Sequence, residues 1–253
     1  MADDVTFDDP QTLAAHVATC ARPLLVGFDV DGVLSPLVAH AADAALVPGV
    51  LDSLIALAAA TPVGVVSGRS IDGLTRFGFP TDLMMAGSHG AEWRGRPFRP
   101  LDAAEIHRMK RIRDTADYAA RAAGPGAWVE SKPTALVVHV KEADPARASA
   151  AFARMERDAR SIPGTHIQHG HNVLEISVRE ASKADAVMAM AAEVTAATTV
   201  FVGDDLTDEN VFAALAPTDI GIRVGTGFTS VRHRLRDPLA VRRFVAALAT
   251  TVG

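Results

Sequence analysis

Residues 24–34 read LLVGFDVDGVL, an apolar run that ends in two aspartates and a glycine. Such a run, bounded by a turn signal, predicts a buried strand of a parallel sheet. Alternate residues of an extended segment point the same way, so Asp29 and Asp31 are expected to face one cavity, while Gly32 allows a sharp turn. An acidic β-turn after a strand is the alternative interpretation of this segment taken alone.

The two aspartates suit phosphoryl chemistry and metal binding. Close carboxylates repel each other, which divides the work between an ionised nucleophile and a carboxylic acid that donates a proton. Asp29 is therefore predicted to attack phosphorus and form an aspartyl phosphate. Asp31 is predicted to protonate the leaving group and later to activate water.

Two further apolar runs end in polar motifs in the same way. Residues 62–66 (PVGVV) lead to Ser67, and residues 198–202 (TTVFV) lead to Gly203. The stretches between the motifs are rich in alanine and leucine and suit crossover helices, which predicts an α/β fold with a doubly wound parallel sheet. Ligands bind outside the carboxyl ends of strands in such sheets, so the three motifs should meet at one edge.

The middle of the chain has a different pattern, typical of an α+β module. Its predicted elements are a helix at 102–123, a strand at 135–140, a helix at 145–161 and a strand at 173–178. Because the core motifs resume only at Lys183, we predict an insertion. Residues 1–100 and 179–253 would form the catalytic core, and residues 101–178 an inserted cap for substrate recognition.

Composition excludes several classes of protein. The net charge of −5 gives no general attraction to nucleic acid or anionic lipid. The single cysteine, Cys20, cannot form an internal disulfide or a cysteine metal cluster. The acidic start of the chain lacks the features of a secretory signal, and no apolar run is long enough to span a bilayer. We therefore expect a cytoplasmic protein without nucleic-acid or membrane partners, and a monomer is compatible with the sequence.

A second acidic cluster, GDDLTDEN at residues 203–210, brings four carboxylates to the end of the third strand. So many anions would repel one another without a cation. Mg²⁺ prefers oxygen ligands, so Asp29 and Asp204 could bind it, with support from Asp208. The same residues could also cap the helix that follows, and the two interpretations are compatible.

Two further elements suit a phosphate group. Ser67, Gly68 and Arg69 combine a hydroxyl, a flexible backbone and a cation, although an ordinary helix N-cap is the alternative. Lys183 could neutralise both the phosphate and the nucleophile, although a lone lysine is usually solvated. Together, the order of hydroxyl, lysine and acidic clusters is the one that phosphoryl transfer requires.

The motifs resemble those of the haloacid dehalogenase superfamily of phosphotransferases and, more narrowly, those of the trehalose-6-phosphate phosphatase family. The resemblance spans residues 24 to 245. It rests on DVDGVLSPL at 29–37, VSGR at 66–69, GSHGAE at 87–92, ESK at 130–132 and GDDLTDENVF at 203–212.

This resemblance implies a Rossmann-like core with an α/β cap that contacts a sugar. It also implies Mg²⁺ held by the Asp29 side chain, the Asp31 carbonyl and an aspartate of the last motif, and hydrolysis of trehalose 6-phosphate. Glu130, Lys132 and Glu175 become candidates for contacts with sugar hydroxyls, and solvated charges at strand edges are the alternative. His89 could line the site or satisfy a backbone group in its own turn.

The chain departs from the family pattern at three positions. Val33 stands where threonine is usual, and Ala184 where glycine is usual. Lys141 replaces an arginine in the cap, which loses planar bidentate binding and bears on the choice of substrate.

Other functions remain open at this point. The nearest is a phosphatase of another phosphorylated disaccharide or pseudodisaccharide. A phospho-accepting signalling module shares the sheet and the acidic metal site, but it needs neither a leaving-group acid nor a cap. A silent domain that regulates a synthase would not need every charged group required for turnover.

Overall fold

The computed structural model describes residues 5–38, 40–170 and 172–253, so the first residues of the acidic start lie outside the described part of the chain. These residues form two compact units. The first comprises Met1–Arg96 and Ser182–Gly253, and the second Pro97–Ala181. Among the described residues, no helix combines the length and apolar character that crossing a bilayer requires.

The helices and strands alternate through much of the chain. The strands are β1 (Leu24–Phe28), β2 (Val63–Val66), β3 (Met84–Gly87), β4 (Glu92–Trp93), β5 (Trp128–Ser131), β6 (Ala135–His139), β7 (His166–Gly170), β8 (Val173–Ser177), β9 (Thr198–Gly203), β10 (Ile220–Val224) and β11 (His233–Leu235). The helices are α1 (Pro10–Ala18), α2 (Val50–Ala58), α3 (Ile71–Thr75), α4 (Ala103–Ala123), α5 (Pro145–Arg160), α6 (Lys183–Glu193), α7 (Leu206–Ala214) and α8 (Pro238–Val252).

The first unit is built on a sheet with the strand order β11-β10-β9-β1-β2-β3-β4. All neighbouring strands are parallel except β3 and β4. Strand β1 lies between β9 and β2, and its residues are buried on both faces. Phe28 packs in the cluster that includes residues of α1, α2 and α8, whereas Leu25 packs in the cluster that includes residues of α6 and α7. The predicted α/β fold, a doubly wound sheet, is confirmed.

The second unit is an antiparallel sheet with the order β5-β6-β8-β7, covered on one face by helices. Leu136, Val138 and Ile176 pack with Ile112 of α4 and Met155 of α5. The predicted α+β character of the insertion is confirmed. The sequence indicated β6 and β8 but not β5 and β7, because these two outer strands carry polar or exposed residues and lack a continuous apolar run.

The chain passes between the units a few residues away from the predicted boundaries. The Arg179 side chain donates hydrogen bonds to the main-chain oxygens of Arg99 and Pro100, each at 2.8 Å. It also donates to Glu105 on α4, with both contacts at 2.9 Å. These bonds join Arg179 to Arg99, Pro100 and α4, so both connecting segments belong to the second unit. Its boundaries accordingly fall at 96/97 and 181/182.

Glu105 is the centre of this connection. Its side chain is 3% exposed, and it completes the capping box of α4 by accepting from the Asp102 main-chain nitrogen. Arg99 donates a further bond to it at 2.5 Å. Hydrogen bonding from Arg179, aided by Asp102 and Arg99, holds the pKa of Glu105 well below its usual value of 4.5.

We predict that Glu105→Gln lowers the melting temperature at pH 7 more than Glu156→Gln, which removes a partner of Arg160 on the surface of α5. Because the folded pKa of Glu105 lies below its unfolded value, its contribution is full above pH 4.5 and is lost as the pH falls towards the folded pKa. The melting curves of wild type and Glu105→Gln should therefore converge in acid. A loss that is independent of pH would contradict this account.

Candidate active site

Asp29 follows β1 and is buried beside a buried lysine. Its main-chain nitrogen bonds to the Val202 oxygen at 3.0 Å, and its Oδ1 accepts from the Val30 nitrogen at 2.7 Å. Lys183, the first residue of α6, places its Nζ 2.7 Å from Asp29 Oδ2 and 2.8 Å from Asp208 Oδ1. One ammonium group, at the start of α6, thus joins the end of β1 to the first turn of α7.

The charged groups of this cluster shift one another's pKa values. Burial raises the pKa of Asp29 well above its usual range; the positive charge of Lys183 opposes the rise, and Asp208 adds to it. Burial would lower the pKa of Lys183, but Asp208 and Asp29 more than offset that effect and hold it well above its usual value. Lys183 therefore remains an ammonium. Because it is also buried, the alternative interpretation of Lys183 as a solvated surface lysine is excluded.

The second acidic cluster forms an acidic loop that runs from the end of β9 at Gly203, through Asp204 and Asp205, into the first turn of α7. Asp208 Oδ2 accepts from the main-chain nitrogens of Asp204 at 2.8 Å and Asp205 at 3.1 Å. Asp205 caps α7 by accepting from the Thr207 nitrogen at 2.7 Å. Helix capping and a candidate metal site therefore occur together, and Asp208 takes part in both.

Three carboxylates fit a divalent cation. Asp29, Asp204 and Asp208 each offer an oxygen, and these atoms lie within 4.8 Å of one another. Burial, together with repulsion from Asp208 and Asp205, raises the pKa of Asp204 to about 7. Ionised together, the three carboxylates would outnumber the single ammonium of Lys183, and a set of oxygen donors suits a hard ion such as Mg²⁺.

The Asp31 carboxylate has a different partner. Arg69 donates two hydrogen bonds to it, from Nε to Oδ2 at 2.6 Å and from Nη2 to Oδ1 at 2.7 Å. Both of its oxygens are engaged in this fork. The Asp31 main-chain carbonyl, rather than this carboxylate, is the atom that the family resemblance gives to the metal. Asp31 and Arg69, predicted separately as acid and phosphate ligand, are thus a pair here.

The turn after β3 supports the loop that contains Ser67 and Gly68. Ser67 is buried, its Oγ accepts from the Arg69 nitrogen at 3.2 Å, and its main-chain oxygen accepts from the His89 nitrogen at 2.9 Å. The His89 ring lies so close to Gly68 that an added Cβ would be 2.7 Å from ring atom Cε1. Ser88 and His89 both adopt left-handed backbone conformations, with φ of 47° and 55°. His89 therefore packs on the candidate phosphate loop.

In the second unit, the predicted sugar-contacting residues lie close together. Lys132 Nζ bonds to Glu175 Oε2 at 2.5 Å, and Glu130 Oε2 lies 2.9 Å from His139 Nε2. Glu130 and Glu175 both pair with Val137 in the sheet, which places them on one face. Sequence reasoning missed Trp128, whose ring stacks on His139 at 4.0 Å. Alternation along an extended segment could have placed Trp128 beside Glu130.

The central strand of a doubly wound sheet ends in Asp29, a lysine at the start of a later helix contacts that aspartate, and a second α+β unit is inserted into the chain, which is the arrangement that the resemblance to haloacid dehalogenase-type phosphotransferases implies. The fold and the site define this class for the present chain.

Comparisons with known proteins narrow this class of phosphotransferases to one family. The sequence profile of the trehalose-phosphatase family matches residues 27–239. The trehalose-6-phosphate phosphatase of Escherichia coli is 32% identical over 223 residues, which cover 82% of this chain and 80% of that protein. The chain belongs to the trehalose-phosphatase family.

Solved structures share the fold. The C-terminal domain of Candida albicans trehalose-6-phosphate phosphatase is 19% identical, with a TM-score of 0.83 over 98% of this chain and 99% of that one. The C-terminal domain of the Candida albicans trehalose synthase regulatory protein is 10% identical, with a TM-score of 0.75 over 97% and 99%. At these identities the likeness concerns the fold alone.

We predict that Mg²⁺ raises the melting temperature of the metal-free protein at pH 7.5, because a cation relieves the repulsion among the clustered carboxylates. A ligand at 100 times its Kd stabilises by about 2.7 kcal/mol, which is a shift of several degrees for a chain of this size. Asp204→Asn should abolish most of the shift, whereas the surface variant Asp158→Asn should keep it. An equal shift in both variants would place the ion elsewhere.

Proposed function

We propose that this protein is a phosphatase that hydrolyses trehalose 6-phosphate to trehalose and phosphate, with Mg²⁺ as cofactor and an aspartyl phosphate on Asp29. The observation that carries the proposal is the buried contact of Lys183 with both Asp29 and Asp208, beside Asp204. Membership of the trehalose-phosphatase family supports the substrate.

Asp29 attacks phosphorus through a carboxylate oxygen, and the bond between phosphorus and the sugar oxygen breaks. The leaving alkoxide takes a proton from the Asp31 carboxyl group. A water then gives a proton to Asp31 and attacks the phosphorus of the aspartyl phosphate. The bond between phosphorus and the Asp29 oxygen breaks, which releases phosphate and restores the free carboxylate.

Arg69 connects Asp31 to the phosphate. In the structure it donates one hydrogen bond to each oxygen of Asp31. When Arg69 exchanges one of these bonds for a phosphate oxygen, an Asp31 oxygen becomes able to carry the proton. Ser67 and Gly68, at the end of β2, are the further groups that we assign to the phosphate.

Lys183 reduces the repulsion between Asp29 and an incoming phosphate, because it stays positively charged at 2.7 Å from the nucleophile. Bound Mg²⁺ supplies further positive charge to the phosphoryl group. The residues that would hold it are Asp29 and Asp204 through their side chains and Asp31 through its carbonyl, while Asp208 orients the loop.

The second unit supplies the groups that we assign to the sugar, Glu130, Lys132 and Glu175, and His89 of the first unit is the remaining candidate. Two carboxylates and an ammonium suit a ligand covered with hydroxyls. Another phosphorylated disaccharide is the alternative substrate, favoured by Lys141 in place of the usual arginine. Phosphate release from a panel of phosphorylated mono- and disaccharides distinguishes the two.

A regulatory role without turnover is the second alternative, since the Candida albicans regulatory protein has the same fold. The present chain keeps Asp29, Asp31, Lys183 and Asp204 in place, which supports catalysis. A receiver-like role is disfavoured because the acid Asp31 and the inserted unit would have no use there.

We predict that Asp29→Asn reduces phosphate release to near background, because an amide cannot attack phosphorus. The variant should stay folded, because the amide has nearly the shape of the carboxylate. Its single oxygen can replace only one of the two acceptors that Val30 and Lys183 use, so a modest loss of thermal stability is expected. Turnover with the sugar phosphate and the melting temperature are measured on the same preparation. Substantial turnover in a folded variant would contradict the assignment of the nucleophile.

We predict that Glu130→Ala or Glu175→Ala lowers kcat/KM for trehalose 6-phosphate by roughly 10–100-fold, as expected when a charged hydrogen bond worth about 1.5–3 kcal/mol is removed. Hydrolysis of a small aryl phosphate should change little, because it lacks the sugar. Glu156→Ala on α5 serves as the control in the same unit. Equal losses on both substrates would indicate damage to the fold instead.

A further inference from the structure

Arg223 is a buried arginine that neither the motifs nor the proposed reaction uses. It lies on β10 within the otherwise apolar run IGIRV at residues 220–224, and it is 7% exposed. In the sheet it pairs with Gly203, the residue before Asp204. A lone arginine in such a run gives no sequence signal of its role, yet its register places it beside the acidic loop.

The Arg223 guanidinium holds the acidic loop at two points. Its Nη1 donates to the main-chain oxygen of Asp205 at 2.9 Å and to Glu209 Oε1 on α7 at 3.1 Å. The other Glu209 oxygen accepts from Ser230, from the nitrogen at 3.1 Å and the hydroxyl at 3.3 Å. The contacts fix the start of α7 against β10 and the loop that follows it.

The surroundings leave little freedom to the guanidinium. A Cβ added to Gly227 would clash with Arg223 Nη2, so the loop after β10 packs directly on it. Within the described part of the chain, Arg223 Nε is buried without a hydrogen-bond partner. An unpaired buried donor reduces stability, which offsets part of what the bonds to Asp205 and Glu209 contribute.

Two effects of Arg223 on a bound cation oppose each other. Its positive charge repels a metal ion near Asp204, whereas its bonds hold the loop in a form that can bind one. Glu209 lies 3.1 Å from the guanidinium and offsets part of its charge. Positioning therefore outweighs repulsion, and losing the arginine should weaken metal binding.

We propose that Arg223 is a positioning residue that fixes the loop of residues 203–209 through the Asp205 carbonyl and Glu209, and so sets the affinity for the divalent cation. The inference rests on the proposed metal use of Asp29 and Asp204. Partners that orient metal ligands typically change affinity by about 10–100-fold when they are lost.

The test is calorimetric titration of Mg²⁺ into the metal-free, full-length protein, with the melting temperature of each variant measured alongside. Arg223→Met should weaken the Kd for Mg²⁺ by about 10–100-fold. Arg223→Lys should be intermediate, because an ammonium lacks the planar fork. Arg234→Met is the matched control, since Arg234 bonds the Gly225 and Gly227 carbonyls and lies outside the acidic loop. It should bind Mg²⁺ nearly as wild type does.

Removing the charge of Glu209 as well distinguishes the loss of positioning from the change in net charge that Arg223→Met causes. The double variant Arg223→Met/Glu209→Gln should still bind Mg²⁺ weakly, because the Asp205 carbonyl still lacks its hydrogen-bond donor. The proposal would be overturned by recovered Mg²⁺ affinity in that double variant, by tighter Mg²⁺ binding in Arg223→Met, or by unchanged Mg²⁺ binding in both single Arg223 variants. If the wild type itself binds no Mg²⁺, the metal assignment fails too, and this outcome is distinct from wild-type binding that Arg223 does not affect.

Discussion

The buried ammonium of Lys183 is the interaction on which the site depends. It bonds to Asp29 after β1 and to Asp208 in α7, and so connects segments that are far apart in the sequence. Without it, two carboxylates would share a buried space with no counter-charge, a costly arrangement in a low-dielectric interior. The parallel sheet makes the connection possible because β1 and β9 are neighbours and end at the same edge.

Even with Lys183 the cluster stays short of positive charge. The pKa values of Asp29 and Asp204 are raised because burial and neighbouring carboxylates disfavour their ionised forms. A protein that needed only stability would replace such groups with apolar ones. Their presence makes sense when a divalent cation is a ligand, since the cation supplies the positive charge that the cluster lacks. The active-site interpretation therefore follows from an imbalance of charge as well as from geometry.

The sequence predicted the central sheet well because β1, β2 and β9 are buried on both faces and so read as unbroken apolar runs. The strands β5 and β7 escaped detection because polar side chains such as Glu130 and Gln168 interrupt their pattern. The pairing of Asp31 with Arg69 could not be predicted either, since each residue had a separate role by motif and only the fold brings them within 2.6 Å. Arg223 had no motif at all, and its importance appears only when the register of β10 is known.

The most direct measurement of the central claim, that Asp29 carries the phosphoryl group, is the stereochemical course at phosphorus. A substrate phosphorothioate, made chiral by its sulfur and two oxygen isotopes and hydrolysed in water that carries the third isotope, reports whether the reaction has one displacement or two. The account predicts net retention of configuration, because attack by Asp29 and then by water each inverts the centre. Net inversion would mean that water attacks the substrate directly, and it would contradict Asp29 as the covalent nucleophile.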